Sequence, residues 1–242
     1  MKYLQFIWAD GLPAPDDLAV MQRECPGWVE EMDGRGVRLL GRELSPPETA
    51  ATVRVREGET FVTDGPFAET KEFVAGFDVL ECADLDEAIE VAAKHPSSWF
   101  QAIEIRPFMD GLVLGEEAAR FARGEDPRGV PYCLMMCLDG IPAAPAVEEA
   151  IRRDSEAWGQ DVEARGIQVF GYPLEHKDMA TTVRIRNGET LLSDGPFIET
   201  KDVIGGFFIL KAASYDEAVE LCRDCPHLEY GNGIEIRRIE VV

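Results

Sequence analysis

Apolar and polar positions divide the chain into short strands and helices whose order runs twice. Residues 3–9 are an unbroken apolar run of strand length, closed by Asp10-Gly11. Residues 16–35 follow with helical spacing, Leu18, Met21, Cys25, Trp28, Val29 and Met32 falling on one side. Pro26 is expected to kink or restart this helix, and Gly34 and Gly36 to end it. Residues 37–44 read as a strand that Ser45-Pro46-Pro47 breaks. Thr52-Val53-Arg54-Val55-Arg56 alternates strictly, valines on one face and arginines on the other. Glu57-Gly58-Glu59 then turns the chain into residues 60–63 as a hairpin. Residues 73–82 are another strand. Asp84, with Glu87 three positions on, starts a helix through Lys94 by the capping-box pattern. Residues 100–106 are the last strand of this half.

The same order returns as strand 132–138, helix 146–165, strand 167–172, alternating strand 182–186, strand 206–212, a helix capped by Ser214 with Glu217, and strand 233–241. Residues 52–96 align with 182–226 without a gap, giving 23 identities in 45 positions at an offset of 130. Such self-similarity is an internal repeat. It divides the chain into domains 1–108 and 131–242 joined by a linker, 109–130, with a short surface helix at 116–123 and a loop at 124–129. Each half reads β-α-β-β(hairpin)-α-β, so the fold class is α+β: two tandem ferredoxin-like, split βαβ domains. Cys133-Leu134-Met135-Met136-Cys137 and Phe207-Phe208-Ile209-Leu210 are apolar on both faces. A sheet with one wet face alternates instead, so both faces are expected to be covered. Packing the two sheets face to face, as a pseudo-dimeric α+β barrel, is the economical arrangement. The linker spans a domain at up to about 3.3 Å per extended residue, and it leaves swapped and side-by-side arrangements open.

Composition narrows the class. Of 242 residues, 45% are hydrophobic and 29% charged, as in a soluble globular protein. No apolar run reaches the length of a membrane span, and the first ten residues read as a strand rather than a signal peptide. The net charge of −22 opposes binding to nucleic acid. Six cysteines lie mostly within apolar periodic segments, which suits a reduced, cytoplasmic protein better than a disulfide framework.

The candidate chemistry centres on Asp64-Gly65-Pro66-Phe67-Ala68-Glu69-Thr70-Lys71 and its copy Asp194-Gly195-Pro196-Phe197-Ile198-Glu199-Thr200-Lys201. Asp-Gly-Pro reads first as a turn: Asp accepts backbone hydrogen bonds, Gly permits positive φ and Pro fixes the next residue. The Glu-Thr-Lys that follows offers a carboxylate, a hydroxyl and an ammonium, either for a polar ligand or for a local ion pair. Arg54, Arg56, Arg184 and Arg186 lie opposite the valines. They are expected to pair with Asp64 and Asp194, or to form an anion-binding cleft. His95, His176 and His227 have no counterparts between the halves; His176 is the general-base candidate by side-chain chemistry. Cys222-Arg223-Asp224-Cys225 sits at a helix C-terminus, which raises a thiol pKa and argues against a thioredoxin-like role. No metal site, phosphate loop or dinucleotide fingerprint is present in the sequence, and no cofactor is expected.

The run Ala51-Thr52-Val53-Arg54-Val55-Arg56, followed by Thr63-Asp64-Gly65-Pro66-Phe67-Ala68-Glu69-Thr70-Lys71-Glu72, resembles the YCII-related proteins of the DGPF type. The resemblance covers both halves apart from the linker. It implies a dimeric α+β barrel, here a fused pair, with an activity that is largely undefined for the family. The wider group is credited with a His–Asp pair, the histidine on the first helix and the aspartate before a proline after the second. Those positions hold Trp28 and Trp158, and His95 and Cys225, so that pair is absent from both copies. The reading is therefore of a protein that binds a small polar or aromatic ligand between its halves, through Arg54, Arg184, Phe67, Phe197, Thr70, Thr200, Lys71 and Lys201. A cofactor-independent acid–base enzyme using Asp64, Asp194 and His176 is one alternative. A protein-interaction module is another. Neither nucleic acid nor membrane is an expected partner.

Overall fold

The computed structural model describes residues 1–11, 14–67, 71–109, 112–125, 129–138, 145–198, 203–230 and 232–240. The first sequence repeat gives β1 (Lys2–Ala9), α1 (Pro15–Gly34), β2 (Arg38–Glu43), the hairpin β3 (Ala51–Arg56) and β4 (Glu59–Asp64), β5 (Phe73–Glu81), α2 (Leu85–Lys94) and β6 (Ala102–Pro107). After a short helix α3 (Glu116–Ala122), the second gives β7 (Val130–Leu138), α4 (Pro145–Ala164), β8 (Gln168–Pro173), the hairpin β9 (Thr181–Arg186) and β10 (Glu189–Asp194), β11 (Val203–Ala212), α5 (Tyr215–Arg223) and β12 (Gly233–Arg238). The expected capping boxes form: Glu87 N–H donates to Asp84 Oδ1, and the Glu87 carboxylate accepts from Ala83 N–H. Ser214 and Glu217 do the same at α5. Pro26 neither breaks nor restarts its helix, since α1 is assigned without interruption from Pro15 to Gly34.

Two six-stranded antiparallel sheets result, and each draws on both repeats. Their orders are β10-β9-β6-β1-β5-β2 and β4-β3-β12-β7-β11-β8. The hairpin of the second repeat joins the sheet of the first through β6, pairing Ile103 with Val183 and Glu104 with Thr182. The hairpin of the first joins β12 reciprocally, pairing Ile234 with Val53 and Glu235 with Thr52. The compact units are accordingly interleaved in sequence. The first comprises 1–43, 70–112 and 174–199, and the second 44–69, 113–173 and 200–242. These units cut across the boundaries 1–108 and 131–242 expected from the duplication.

Within the first unit, Tyr3, Leu80, Ile103, Ile105 and Val183 form one core with Trp28 and Met32 of α1 and Val91 and Ala92 of α2. The second unit repeats this with Tyr132, Leu134, Leu210, Ile234, Ile236 and Val53 against Trp158, Val162, Val219 and Cys222. The valine face of each exchanged hairpin thus seals the core beneath the other repeat's helices. Full burial of one such valine contributes about 1.5–3 kcal/mol, which ties the hairpin to its host sheet. The opposite faces are dry as well: Leu4, Phe6, Phe77 and Val79 in the first unit and Cys133, Met135, Phe207 and Ile209 in the second are buried. Strands that are apolar on both sides end up covered on both sides, as their composition predicts. No described helix is long and apolar enough to cross a membrane. None of the six cysteines is in a disulfide.

Candidate functional site

Each repeated loop leaves its hairpin at a glycine held at positive φ, +96° at Gly65 and +92° at Gly195, where a side chain would strain the backbone. Three anchors then fix the corner. Gly65 N–H donates to Ala50 O and Gly195 N–H to Ala180 O, both at 2.8 Å. The Thr52 hydroxyl donates to Gly65 O at 3.0 Å, and the Thr182 hydroxyl to Gly195 O at 3.1 Å. A buried glutamate from the neighbouring strand takes the next amide: Phe67 N–H donates to Glu235 Oε2 at 2.9 Å, and Phe197 N–H to Glu104 Oε2 at 3.0 Å. Each glutamate pairs with the arginine two residues on, Arg237 and Arg106, at 3.3 Å. Arg237 in turn donates to Ser45 O, and Arg106 to Glu175 O. Each loop is therefore clamped by a Glu–Arg pair belonging to the other sequence repeat.

Two arginines of the alternating strands stack on the motif's phenylalanines rather than pair with its aspartates. Arg54 lies over the Phe67 ring, 4.0 Å from its centroid, and donates to Phe67 O at 2.8 Å. Arg184 lies over Phe197 at 4.4 Å. The correction to the predicted Arg–Asp pair is thus a cation–π stack. Asp64 and Asp194 end β4 and β10 with their side chains exposed.

The two corners are not equivalent. In the second unit Gly233 faces Phe67 so closely that a Cβ there would sit 2.1 Å from Cε2 of the ring. Phe67 is buried and Arg54 is hydrogen-bonded, so this corner is filled by its own side chains. Gly233→Ala is expected to push Phe67 outward and cost about 1–3 kcal/mol, read as a lower urea midpoint at unchanged m-value. In the first unit Ala102 stands where the second has Gly233, and Trp8 where it has Cys137, as the β1–β6 and β7–β12 registers show. Here Phe197 stays half-buried, its ring 6.0 Å from that of Trp8. Trp8 Nε1–H donates to Glu104 Oε2 at 3.0 Å, which fixes the plane of the indole. Arg184 is half-buried and makes no hydrogen bond or ion pair among the described residues. Burial, and then Arg186, lower its pKa, while Asp10 opposes them.

Among the described residues a second polar cluster occurs in the first unit. Asp78 on β5 accepts from Arg38 Nε at 2.7 Å and from Gln5 Nε2 at 3.0 Å. His95, after α2, lies edge-on to Trp28 with ring centroids 4.4 Å apart. Its Nδ1 accepts Ser97 N–H at 3.1 Å. That bond leaves the proton on Nε2, so neither nitrogen is free to act as a base. The corresponding positions in the second unit are Leu134, Gln168, Phe208 and Cys225.

The other expected residues are dispersed. His176 is exposed and caps the short turn after it, its Nδ1 accepting Asp178 N–H at 3.3 Å. Lys71 is exposed, and Thr70, Thr200 and Lys201 lie outside the described residues. Burial pushes the Cys225 thiol up to about 12 and that of Cys222 well above its usual range, so both remain protonated thiols. No group of three or more metal-ligating side chains occurs among the described residues. The glutamates and arginines of the clamp were missed in the sequence, although Ile-Glu-Ile-Arg occurs at 103–106 and again at 234–237.

The solved structures similar to this chain include a protein assigned as a chlorite dismutase, at TM-score 0.43 and 8% identity over 99% of this chain and 94% of the other. Another is a heme-binding protein from Thermus thermophilus, at TM-score 0.43 and 9% identity over 98% and 90%. Likenesses this distant carry nothing about ligand or activity. An uncharacterised protein of Rhizobium meliloti (strain 1021) is 48% identical over a stretch covering 33% of this chain and 78% of its own length. The model of the YCII-related domain matches residues 1–110 and again 133–241, so the chain belongs to the YCII-related family and carries two copies of its domain.

Proposed function

We propose that the protein binds a small aromatic anion, of the arylcarboxylate class, at the Trp8–Arg184–Phe197 corner of its first unit. The observation that carries this reading is Arg184: a half-buried guanidinium stacked on the Phe197 ring, which itself lies 6.0 Å from the Trp8 ring, with its donors uncommitted among the described residues. A planar carboxylate matches the fork of a guanidinium, and a flat ring matches the two aromatic walls. A chain of net charge −22 repels anions at long range, so affinity must come from this local cation. The second corner supports the assignment by contrast, because Phe67 and the Phe67 carbonyl already occupy Arg54.

The test is a thermal-shift screen of benzoate-, phenylacetate- and indole carboxylate-type compounds. A ligand present at a hundred times its Kd stabilises the folded state by about 2.7 kcal/mol, which for a chain of this size raises Tm by roughly 5–10 °C. The shift is expected to vanish in Arg184→Met and to persist in Arg54→Met. A panel without any stabilising member, or a shift that survives Arg184→Met, would overturn the proposal.

A further inference from the structure

We propose that the first unit holds one internal water between His95, Gln5 and Asp78, at a site the second unit lacks. The argument is a count of hydrogen-bonding groups. His95 is buried, and because Nδ1 accepts Ser97 N–H, the ring carries its proton on Nε2. The carboxylate oxygen facing that nitrogen, Asp78 Oδ2, is 3.9 Å away, beyond the reach of a direct hydrogen bond. Gln5 is fully buried on the adjacent strand. Its amide N–H donates to the same Oδ2, yet its own Oε1 has no hydrogen-bond partner among the described residues. One donor and two acceptors thus lie in one cluster; of these Gln5 Oε1 is buried with no partner among the described residues, and leaving it unpaired costs about 1–3 kcal/mol.

The chemistry of the guest follows from those three groups. It must accept one hydrogen bond, from imidazole Nε2–H, and donate two, to a carboxylate and to a carboxamide oxygen. An ammonium has no acceptor and an alcohol has one donor. Water has the full complement, and a buried site with three polar partners is where internal waters are held. Arg38 occupies the other carboxylate oxygen of Asp78 at 2.7 Å, so it does not compete for Oδ2.

The second unit serves as an internal control. Leu134 stands in place of Gln5, Phe208 in place of Asp78 and Cys225 in place of His95, with the Phe208 ring edge-on to Trp158 at 5.7 Å. The fold therefore does not require His95, Gln5 and Asp78 here, and Leu134, Phe208 and Cys225 offer no matching set of partners for a water.

Two measurements test the site. A high-resolution crystal structure of the full chain is expected to show an ordered water within hydrogen-bond distance of His95 Nε2, Gln5 Oε1 and Asp78 Oδ2, and none beside Phe208. In solution, oxygen-17 magnetic relaxation dispersion is expected to count one fewer long-lived water in Gln5→Leu/His95→Cys, which installs second-unit residues at two of the positions. A direct His95–Asp78 hydrogen bond without a water, or equal counts in wild type and variant, would overturn the inference. If the variant fails to fold, the crystal structure alone decides.

Discussion

Glu235→Ala is expected to destabilise the protein by about 3–5 kcal/mol, the range for removing one partner of a buried ion pair. Glu235 sits between two groups with little other recourse among the described residues. Arg237 is fully buried, with Ser45 O as its remaining acceptor, and Phe67 N–H is paired with the carboxylate alone. Truncation leaves a buried guanidinium and an amide uncompensated at once. Glu235→Gln keeps an acceptor for the amide while removing the charge, so an intermediate loss is expected. Urea unfolding of the two variants gives the comparison. A loss below about 1 kcal/mol for Glu235→Ala, the size of an exposed pair, would mean that the clamp does not hold the loop.

Acidification is the second large effect. Burial lowers His95 to about 4, with Asp78 pulling it up and Arg38 down; burial likewise lowers His227 to about 4, against a hydrogen bond to Cys137 O that raises it. The unfolded chain protonates these rings near pH 6.5, whereas the folded chain resists until about pH 4. The unfolded state therefore binds more protons in that window. The contribution of the neutral rings is complete above pH 6.5 and is lost as pH falls to about 4. Each histidine removes about 1.4 kcal/mol per pH unit across the window. Stability measured by urea unfolding from pH 7 to pH 4.5 is expected to fall, and His95→Gln and His227→Gln should each flatten the curve by one proton relative to wild type. Parallel curves for wild type and variants would show that these rings do not titrate as described.

The duplication, the element order, both capping boxes and the dryness of both sheet faces were legible in the sequence, because each follows from local pattern or from period. The exchange of hairpins was not, and the reason is degeneracy. Ile103-Glu104-Ile105-Arg106 and Ile234-Glu235-Ile236-Arg237 offer the same edge, so Val53 and Val183 find equivalent neighbours in either sheet. That same tetrapeptide is the clamp, and it escaped notice because it recurs at an offset of 131, one residue out of step with the 130 of the gapless match. The arginines were placed on the correct face, but against carboxylates. Asp64 lies at the exposed end of its strand, whereas the Phe67 ring sits directly beneath Arg54. The polar cluster of the first unit was invisible for a different reason: Gln5, Arg38, Asp78 and His95 are scattered over ninety residues and converge only through β1, β2, β5 and the turn after α2.

The two corners differ at only a few positions, and those positions decide how deeply each phenylalanine is buried. Trp8 and Ala102 leave Phe197 half-buried beside an uncommitted arginine, while Cys137 and Gly233 let Phe67 sink and engage Arg54. The two copies of one motif thereby differ: one buries its phenylalanine and engages its arginine, and the other leaves Arg184 stacked on a half-buried Phe197. The most direct test follows the Trp8 indole N–H resonance by NMR while an arylcarboxylate is titrated in. It is predicted to shift saturably in the wild type and in Arg54→Met and to stay fixed in Arg184→Met. A resonance that no arylcarboxylate moves, or one that moves equally in Arg184→Met, would contradict the assignment of this corner as the ligand site.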